Sequence, residues 1–299
     1  MSDSPPVIRC PAYAKVNLAL AVIGRRPDGY HEVATVMQAI DLHDTVAVSP
    51  ADDLLLSCSD HSLAGANNLA RQAAALLRQR AGVAHGAAIT LEKRIPVAAG
   101  LGGGSSDAAA TLLALNELWE LGLTMVELDE IAATLGSDVA FFLRGGTALA
   151  TGRGERIEAL PPFPPRWVVL LQPACEVDRK TATLYGRLRA ADYDPAGAPL
   201  ALAEALRAGR VPDESLLTNT FEKVAEGVFA GMRTVREAMQ AAAGGRRVHL
   251  AGAGPTLFVL FDEEAPVAQA LAELAVGGYE PYLSRTGEWR PVPAAGEPA

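Results

Sequence analysis

The stretch with the clearest chemistry is Arg94 to Leu115, RIPVAAGLGGGSSDAAATLLAL. An alternating run ends at Ile95, with Ile89, Leu91, Lys93 and Ile95 on one face and Thr90, Glu92 and Arg94 on the other. That period of two predicts a strand, and Pro96 stops it. Gly100, Gly102, Gly103 and Gly104 follow, and Ser105, Ser106 and Asp107 then open an alanine- and leucine-rich helical segment. These three residues are of types that cap helices by accepting bonds from unpaired first-turn N–H groups. Without Cβ atoms the loop backbone can close on an anion, and the helix start adds N–H donors and partial positive charge. The loop is therefore expected to cradle a nucleotide phosphate through Pro96, Val97, Ala98, Ala99, Gly100, Leu101, Gly102, Gly103, Gly104, Ser105 and Ser106. The two hydroxyls are placed to meet a phosphate or a metal ion. A plain glycine connector ahead of a capped helix has the same signature.

Two commoner phosphate motifs do not fit. Walker A requires Gly-Lys-Ser/Thr, and here Gly104 is followed by Ser105; the dinucleotide fingerprint is only approximated, since Gly100-x-Gly102 runs on to Ser105. Elsewhere, Ala12 to Val22 alternates, with Val16, Leu18, Leu20 and Val22 on one face and Lys15 and Asn17 on the other. A lysine and an asparagine on one face of an apolar strand are either edge residues in water or site residues. A Pro-Asp-Gly turn delivers Tyr30 and His31 to the next strand. Asp138 follows the helix stop Gly136, where an N-cap is an equally good reading. Gly252-Ala-Gly254 makes either a tight hairpin turn or another backbone anion site.

The elements that must position these residues follow from periodicity and punctuation. After a lead-in over 1–10, strands are expected at Ala12–Val22, Glu32–Ile40, Thr45–Ser49 and Leu54–Ser57. A helix is expected at Asn67–Ala81, and Thr124-Met-Val-Glu127 is a capping box starting another. Gly145–Gly152 reads as a strand with Arg156–Leu160 as its hairpin partner. Pro161-Pro-Phe-Pro-Pro165 can continue neither a helix nor an inner strand, so it is taken as a linker between domains at 1–160 and 166–286. The second domain should hold a strand at Trp167–Leu171 and helices at 179–190, Leu200–Ala208, Asn219–Phe229, Met232–Ala243 and Glu263–Ala275. Its further strands fall at Val248–Ala251, Thr256–Phe261 and Tyr279–Ser284, and the Pro-, Ala- and Gly-rich 287–299 reads as a disordered tail. Strands and helices in irregular order predict an α+β fold in both halves.

At 299 residues with 49% apolar and 20% charged content, the chain matches one large or two ordinary globular domains. A net charge of −9 argues against a general nucleic-acid binder, though not against a local nucleotide pocket. Cys10, Cys58 and Cys175 are odd in number and lack metal-ligand spacing, which suggests a reducing compartment. Neither a signal-peptide pattern nor an apolar run of about 18 residues is present, so a cytoplasmic enzyme that does not enter membranes is expected.

Pro96-Val-Ala-Ala-Gly-Leu-Gly-Gly-Gly-Ser-Ser-Asp-Ala108 resembles the phosphate loop of the GHMP kinases, whose core is Pro-x-x-x-Gly-Leu-Gly-x-Ser-Ser. Ala12–Leu18 and Gly252-Ala-Gly-Pro-Thr256 resemble that family's first and third signature regions. Asp28-Gly-Tyr-His31 and Leu135-Gly-Ser-Asp-Val-Ala-Phe-Phe142 are most similar to the branch acting on a cytidine diphosphate ester of methylerythritol. The resemblance implies a two-domain fold, with an N-terminal nucleotide domain like ribosomal protein S5 and a C-terminal α+β domain. It implies ATP with Mg2+ as cofactors and phosphoryl transfer to an alcohol. It also implies catalytic roles for Asp138 as base and Lys15 as its charge partner. Substrate contacts would come from Asn17, Tyr30, His31, Tyr185, Gly252 and Gly254, and Asn68 would stand near adenine. No carboxylate cluster marks a dedicated metal cage, and a monomer or homodimer is expected. Two departures stand out: Glu176-Val-Asp-Arg-Lys-Thr181 lacks the usual Val-Ser-Thr, and Ala251-Gly-Ala-Gly254 replaces Ser-Gly-Ser-Gly. The alternatives are a GHMP kinase for a smaller alcohol, a catalytically silent sensor on the same fold, and a dehydrogenase.

Overall fold

The computed structural model describes residues 6–175 and 177–296. The chain opens with two long antiparallel strands, β1 (Val7–Arg25) and β2 (His31–Ala51), joined by the turn that carries Tyr30. The two strands expected over Glu32–Ile40 and Thr45–Ser49 are one, and β1 begins inside the expected lead-in. β2 stays continuous because both halves of its second edge have partners. Its first half pairs with β5 (Thr147–Gly152) and its second half with β4 (Gly86–Glu92). β3 (Leu54–Cys58) lies parallel to β4, and β6 (Arg156–Ala159) closes a hairpin with β5.

Four helices belong to this half. They are α1 (Leu69–Ala81), α2 (Gly103–Leu118), α3 (Met125–Leu135) and the single turn α4 (Val139–Phe142). α3 carries the expected capping box: the Thr124 hydroxyl accepts from the Glu127 N–H, and the Glu127 carboxylate accepts from the Thr124 N–H. The alanines of α2 (Ala108, Ala109, Ala110 and Ala114) are fully buried, which lets the helix sit close to α1 and the sheet.

A second sheet of four antiparallel strands follows. β7 (Trp167–Leu171), β8 (His249–Leu250), β9 (Leu257–Phe261) and β10 (Tyr282–Arg285) lie in the order β10-β7-β9-β8. Its helices are α5 (Lys180–Arg187), α6 (Gly197–Arg207), α7 (Glu222–Ala225), α8 (Met232–Ala242) and α9 (Glu264–Val276). α6 begins ahead of the expected Leu200, because Pro199 sits in the first turn, where a missing N–H costs no intrahelical bond. The helix expected over Asn219–Phe229 shrinks to α7, because Asn219 is drawn into bonds with other loops and Gly227 follows closely. The two sheets share a core: Val16, Leu18 and Ile40 meet Val168, Leu170, Phe258 and Leu202. Phe163 of the proline run is buried there, and its N–H donates to the Thr147 hydroxyl at 2.9 Å.

The tail expected to be disordered from 287 is corrected through residue 296. Ala294–Gly296 forms β11, pairing with Val7–Arg9 of β1, and the Trp289 carbonyl accepts from the Gly146 N–H. Residues 1–5, 176 and 297–299 lie outside the described part. Among the described residues, no helix is long and apolar enough to cross a membrane.

Candidate active site

Three adjoining hollows run between the two halves. The first, about 400 Å3, lies over the glycine loop. Pro96 to Gly100, Gly102 to Gly104 and Ser105 line it, whereas Leu101 is buried in the core and Ser106 behind the loop. Leu101 does not itself line the hollow; its carbonyl accepts from the Lys15 N–H at 3.0 Å. α2 starts earlier than the serines suggested. Gly102, at φ +78, is the N-cap position, and no side chain caps the helix. The first-turn N–H groups of Gly103, Gly104 and Ser105 thus lack intrahelical partners and stand ready for an anion.

Gly100 explains why this loop needs glycine. At φ +89, a Cβ there would stand 2.4 Å from the Ala251 carbonyl oxygen and 2.8 Å from that of Gly254. The phosphate loop and the third glycine turn therefore interlock backbone to backbone. A Cβ on Gly252 (φ +54) would meet the Lys15 ammonium at 2.8 Å. Asn219, which sequence reading passed over, fixes this turn: its amide donates to the Leu250 and Gly252 carbonyls. Gly252 borders the second hollow, whereas Gly254 serves through its carbonyl and its approach to Gly100.

Asn68 borders the loop hollow, with its side chain also tied into the fold. Its side-chain oxygen caps α1 at the Ala70 N–H, 2.9 Å away, and its amide donates to the Leu63 carbonyl. The exposed Asn67 stands next to it on the same wall. Beneath the loop lies an ion cluster that the sequence did not disclose. The Lys93 ammonium sits between the carboxylates of Asp44 and Asp107. The other Asp44 oxygen accepts from the Ile95 N–H at 2.8 Å, and one Asp107 oxygen has no partner. Burial is the main reason the Asp107 carboxyl is pushed up to about 7.

The second hollow, about 250 Å3, adjoins the first through Gly100, Gly102 and Lys180. It brings Lys15, Asn17 and Asp138 together, which are about 120 residues apart at the extremes. Lys15 is not an edge lysine; it is 4% exposed. Its ammonium donates to the Asn17 side-chain oxygen at 2.8 Å and to the Gly100 carbonyl at 2.7 Å. Asn17 in turn donates to the Thr35 hydroxyl, so it orients Lys15. Burial pushes the Lys15 ammonium below its ordinary value, and the Asp138 carboxylate pulls it back. Asp138 occupies the N-cap position of α4, yet its side chain makes no capping bond and borders the hollow.

Asp138 and Tyr185 lead on into the third hollow, about 690 Å3, which also holds Tyr30, His31, Arg25 and Arg153. Tyr185 is a wall of this hollow and packs behind on Phe221 of the core. Its ring stacks on His31 with centroids 4.4 Å apart, and burial pushes its hydroxyl up to about 12. Tyr30 is exposed, with the Arg153 guanidinium 4.8 Å over its ring. Burial, then the Arg25 charge, lowers the His31 imidazole below its ordinary value, favouring a neutral ring with one donor and one acceptor. A larger hollow, about 970 Å3, lies elsewhere against Gln172, Cys175 and Tyr279, and holds none of the expected site residues.

This series of hollows can hold a phosphate chain at one end and a flat ring at the other, with a carboxylate and an ammonium between. The model of the GHMP kinases N-terminal domain matches residues 68–146, and that of the C-terminal domain matches residues 196–278. A 4-diphosphocytidyl-2-C-methyl-D-erythritol kinase of Pelotomaculum thermopropionicum is 45% identical over 284 residues, covering 94% of this chain and 98% of the relative. The chain belongs to the GHMP kinase family. A kinase of the same name from a Geobacillus species is 44% identical over 258 residues, 85% of this chain and 88% of the relative. A solved 4-(cytidine 5'-diphospho)-2C-methyl-D-erythritol kinase superposes with TM-score 0.78 at 38% identity, covering 93% of this chain and 99% of that one. Homoserine kinase from Cytophaga hutchinsonii, at 19% identity, shares the fold with TM-score 0.72 over 98% of this chain and 99% of that one. Membership in this kinase family implies the use of ATP.

Proposed function

We propose that this chain transfers the γ-phosphoryl group of ATP to the 2-hydroxyl of 4-diphosphocytidyl-2-C-methyl-D-erythritol, a step of non-mevalonate isoprenoid synthesis. The observation that carries this reading is the shared wall. Asp138 and Lys15 border the hollow that joins the phosphate loop to the Tyr185–His31 pocket. The names of the full-length relatives point to the same substrate.

Asp138 is the base. It accepts the proton of the substrate hydroxyl as that oxygen bonds to the γ-phosphorus and the bond to the β-phosphate oxygen breaks. Such transfers depend mostly on positioning and charge neutralisation. Lys15, held by Asn17 and the Gly100 carbonyl, stands as the charge partner of Asp138 and faces the developing charge. The uncapped start of α2 and the glycine cradle fit a triphosphate. Among the described residues no acidic or metal-ligating cluster could hold an ion by itself. Mg2+ carried on phosphate oxygens suits that arrangement, with Ser105 as its protein hydroxyl and neutralisation of phosphate charge as its contribution. At the other end His31 presents a neutral edge to cytosine and Tyr30 an exposed ring. Tyr185 backs His31, so a base stacks on the pair and not between them.

The test is ADP release by the purified protein with this cytidine substrate, beside mevalonate, homoserine and galactose. Turnover with the cytidine compound alone is expected. Turnover with another alcohol would overturn the base pocket, and ATP binding with no turnover would favour the sensor.

A further inference from the structure

Lys180 has no role in the reading above, and the expected site residues did not include it. It is the first residue of α5, entered through Arg179 at φ +47, a left-handed backbone conformation that is strained for a non-glycine residue. It lies where the segment after Cys175 departs from the family's usual Val-Ser-Thr. Its side chain borders both the loop hollow and the hollow of Lys15 and Asp138. Its ammonium donates to the Gly254 carbonyl, on the turn that interlocks with Gly100. No carboxylate among the described residues pairs with it. An ammonium offers three donors, and a single carbonyl is a weak partner for a half-buried charge.

We propose that Lys180 is a second catalytic cation of this kinase, which turns from the Gly254 carbonyl to the γ-phosphate when ATP binds. This deepens the function proposed above and rests on it for the direction of transfer. Two ammoniums, Lys15 and Lys180, face one hollow whose nearest carboxylate is Asp138. Lys93 across the loop hollow is already held between the Asp44 and Asp107 carboxylates, and Arg153 lies over Tyr30. Such a site is electrostatically incomplete without a polyanion. Burial first, then the Lys15 charge, lowers the Lys180 ammonium to about 8, and Cys175 acts weakly the other way. At neutral pH the group is therefore still mostly charged. Two cations on the three equatorial oxygens of the transferring group stabilise the charge they carry in the transition state.

The test uses Lys180→Met and Lys180→Arg in the full chain. For Lys180→Met, kcat/KM for ATP is expected to fall about 100-fold, with KM for the alcohol within about twofold. Lys180→Arg should keep the activity within about tenfold of wild type. Calorimetry without the alcohol should show AMP-PNP binding weakened about tenfold or more by Lys180→Met, while ADP, which lacks the γ-phosphate, binds as before. In wild type kcat/KM for ATP should decline above about pH 8, and Lys180→Arg should remove that limb. A strut that only supports the Gly254 turn would lower Tm, weaken ADP and AMP-PNP alike and leave the pH limb in place, which overturns the proposal. Equal AMP-PNP affinity in wild type and Lys180→Met overturns it as well. If Lys180→Met does not fold, a pH limb identical in Lys180→Arg and wild type is decisive against it. Absence of turnover with every alcohol would refute the function reading alone, because the AMP-PNP comparison needs no acceptor.

Discussion

From Pro96 to Asp107 the loop hollow is made almost wholly by consecutive residues and by backbone. Around Asp138, by contrast, side chains come from β1, β2, the start of α4 and α5, with the Gly252 turn closing the hollow. The first arrangement is robust to side-chain identity and intolerant of a Cβ. The second depends on every side chain and tolerates changes of backbone position only as far as its partners move together. A kinase that must accept one universal donor and one particular acceptor divides its construction along that line.

The sharpest way to break the comparison is at Asp138. Asp138→Asn should lower kcat by about 100- to 10,000-fold while AMP-PNP affinity stays within about twofold, measured by coupled turnover and calorimetry. Loss of nucleotide binding together with turnover would make Asp138 a support for the loop hollow, and the two regions would no longer be separable. Next comes Gly100→Ala, which forces a Cβ to 2.4 Å from the Ala251 oxygen at φ +89. Nucleotide affinity and Tm should both fall, with a strain of about 1–3 kcal/mol before relaxation. Gly104→Ala is the contrast: its Cβ would meet only Leu69 Cδ1 at 3.7 Å, inside a helix, so Tm should hold or rise. Tyr185→Ala should raise KM for the cytidine substrate about tenfold and leave KM for ATP alone, whereas Tyr185→Phe should do little.

The smallest effect concerns the ion cluster under the loop. Lys93 balances only one of its two carboxylates, and the Asp107 carboxyl is raised from the ordinary aspartate range to about 7. A folded-state value above the unfolded one gives stability that is present below about pH 4 and lost as pH rises through about 7. Asp107→Asn removes that loss. Its stability relative to wild type, from urea titrations at pH 5 and pH 8, should therefore be greater at the higher pH.

The contrast also explains what the sequence could disclose. The glycine loop was legible because its parts are contiguous and each glycine answers a backbone demand. Lys15 and Asp138 were legible only through family likeness, since no local pattern ties residues on different elements. Lys180 and Asn219 left no local signal beyond a broken motif, and their partners Gly254 and Gly252 lie 74 and 33 residues away. Asp44, Lys93 and Asp107 escaped for the same reason: a lysine in an alternating strand reads as solvated until its two carboxylates come from elsewhere in the chain. The serines in the first turn of α2 misled in an instructive way. They are good capping residues, but the helix begins at Gly103, and a capping side chain would have taken the very donors an anion needs. Asn68 did the reverse: expected at adenine, it caps α1.

The outer edge of β1 has a consequence for how this molecule comes off the ribosome. That edge is closed by Ala294–Gly296, by the Leu101 carbonyl at Lys15, and by the 218–220 segment around Leu20. β1 is thus late to find all its neighbours, because Ala294–Gly296 is translated long after Val7–Arg9. Through that interval a nascent chain carries an open, apolar ribbon edge, the kind of surface that recruits a holdase or a neighbouring polysome product. Yield in the cell would then hinge on the pace of translation through the second half, with codon usage there affecting recovery of a protein whose site draws residues from both halves.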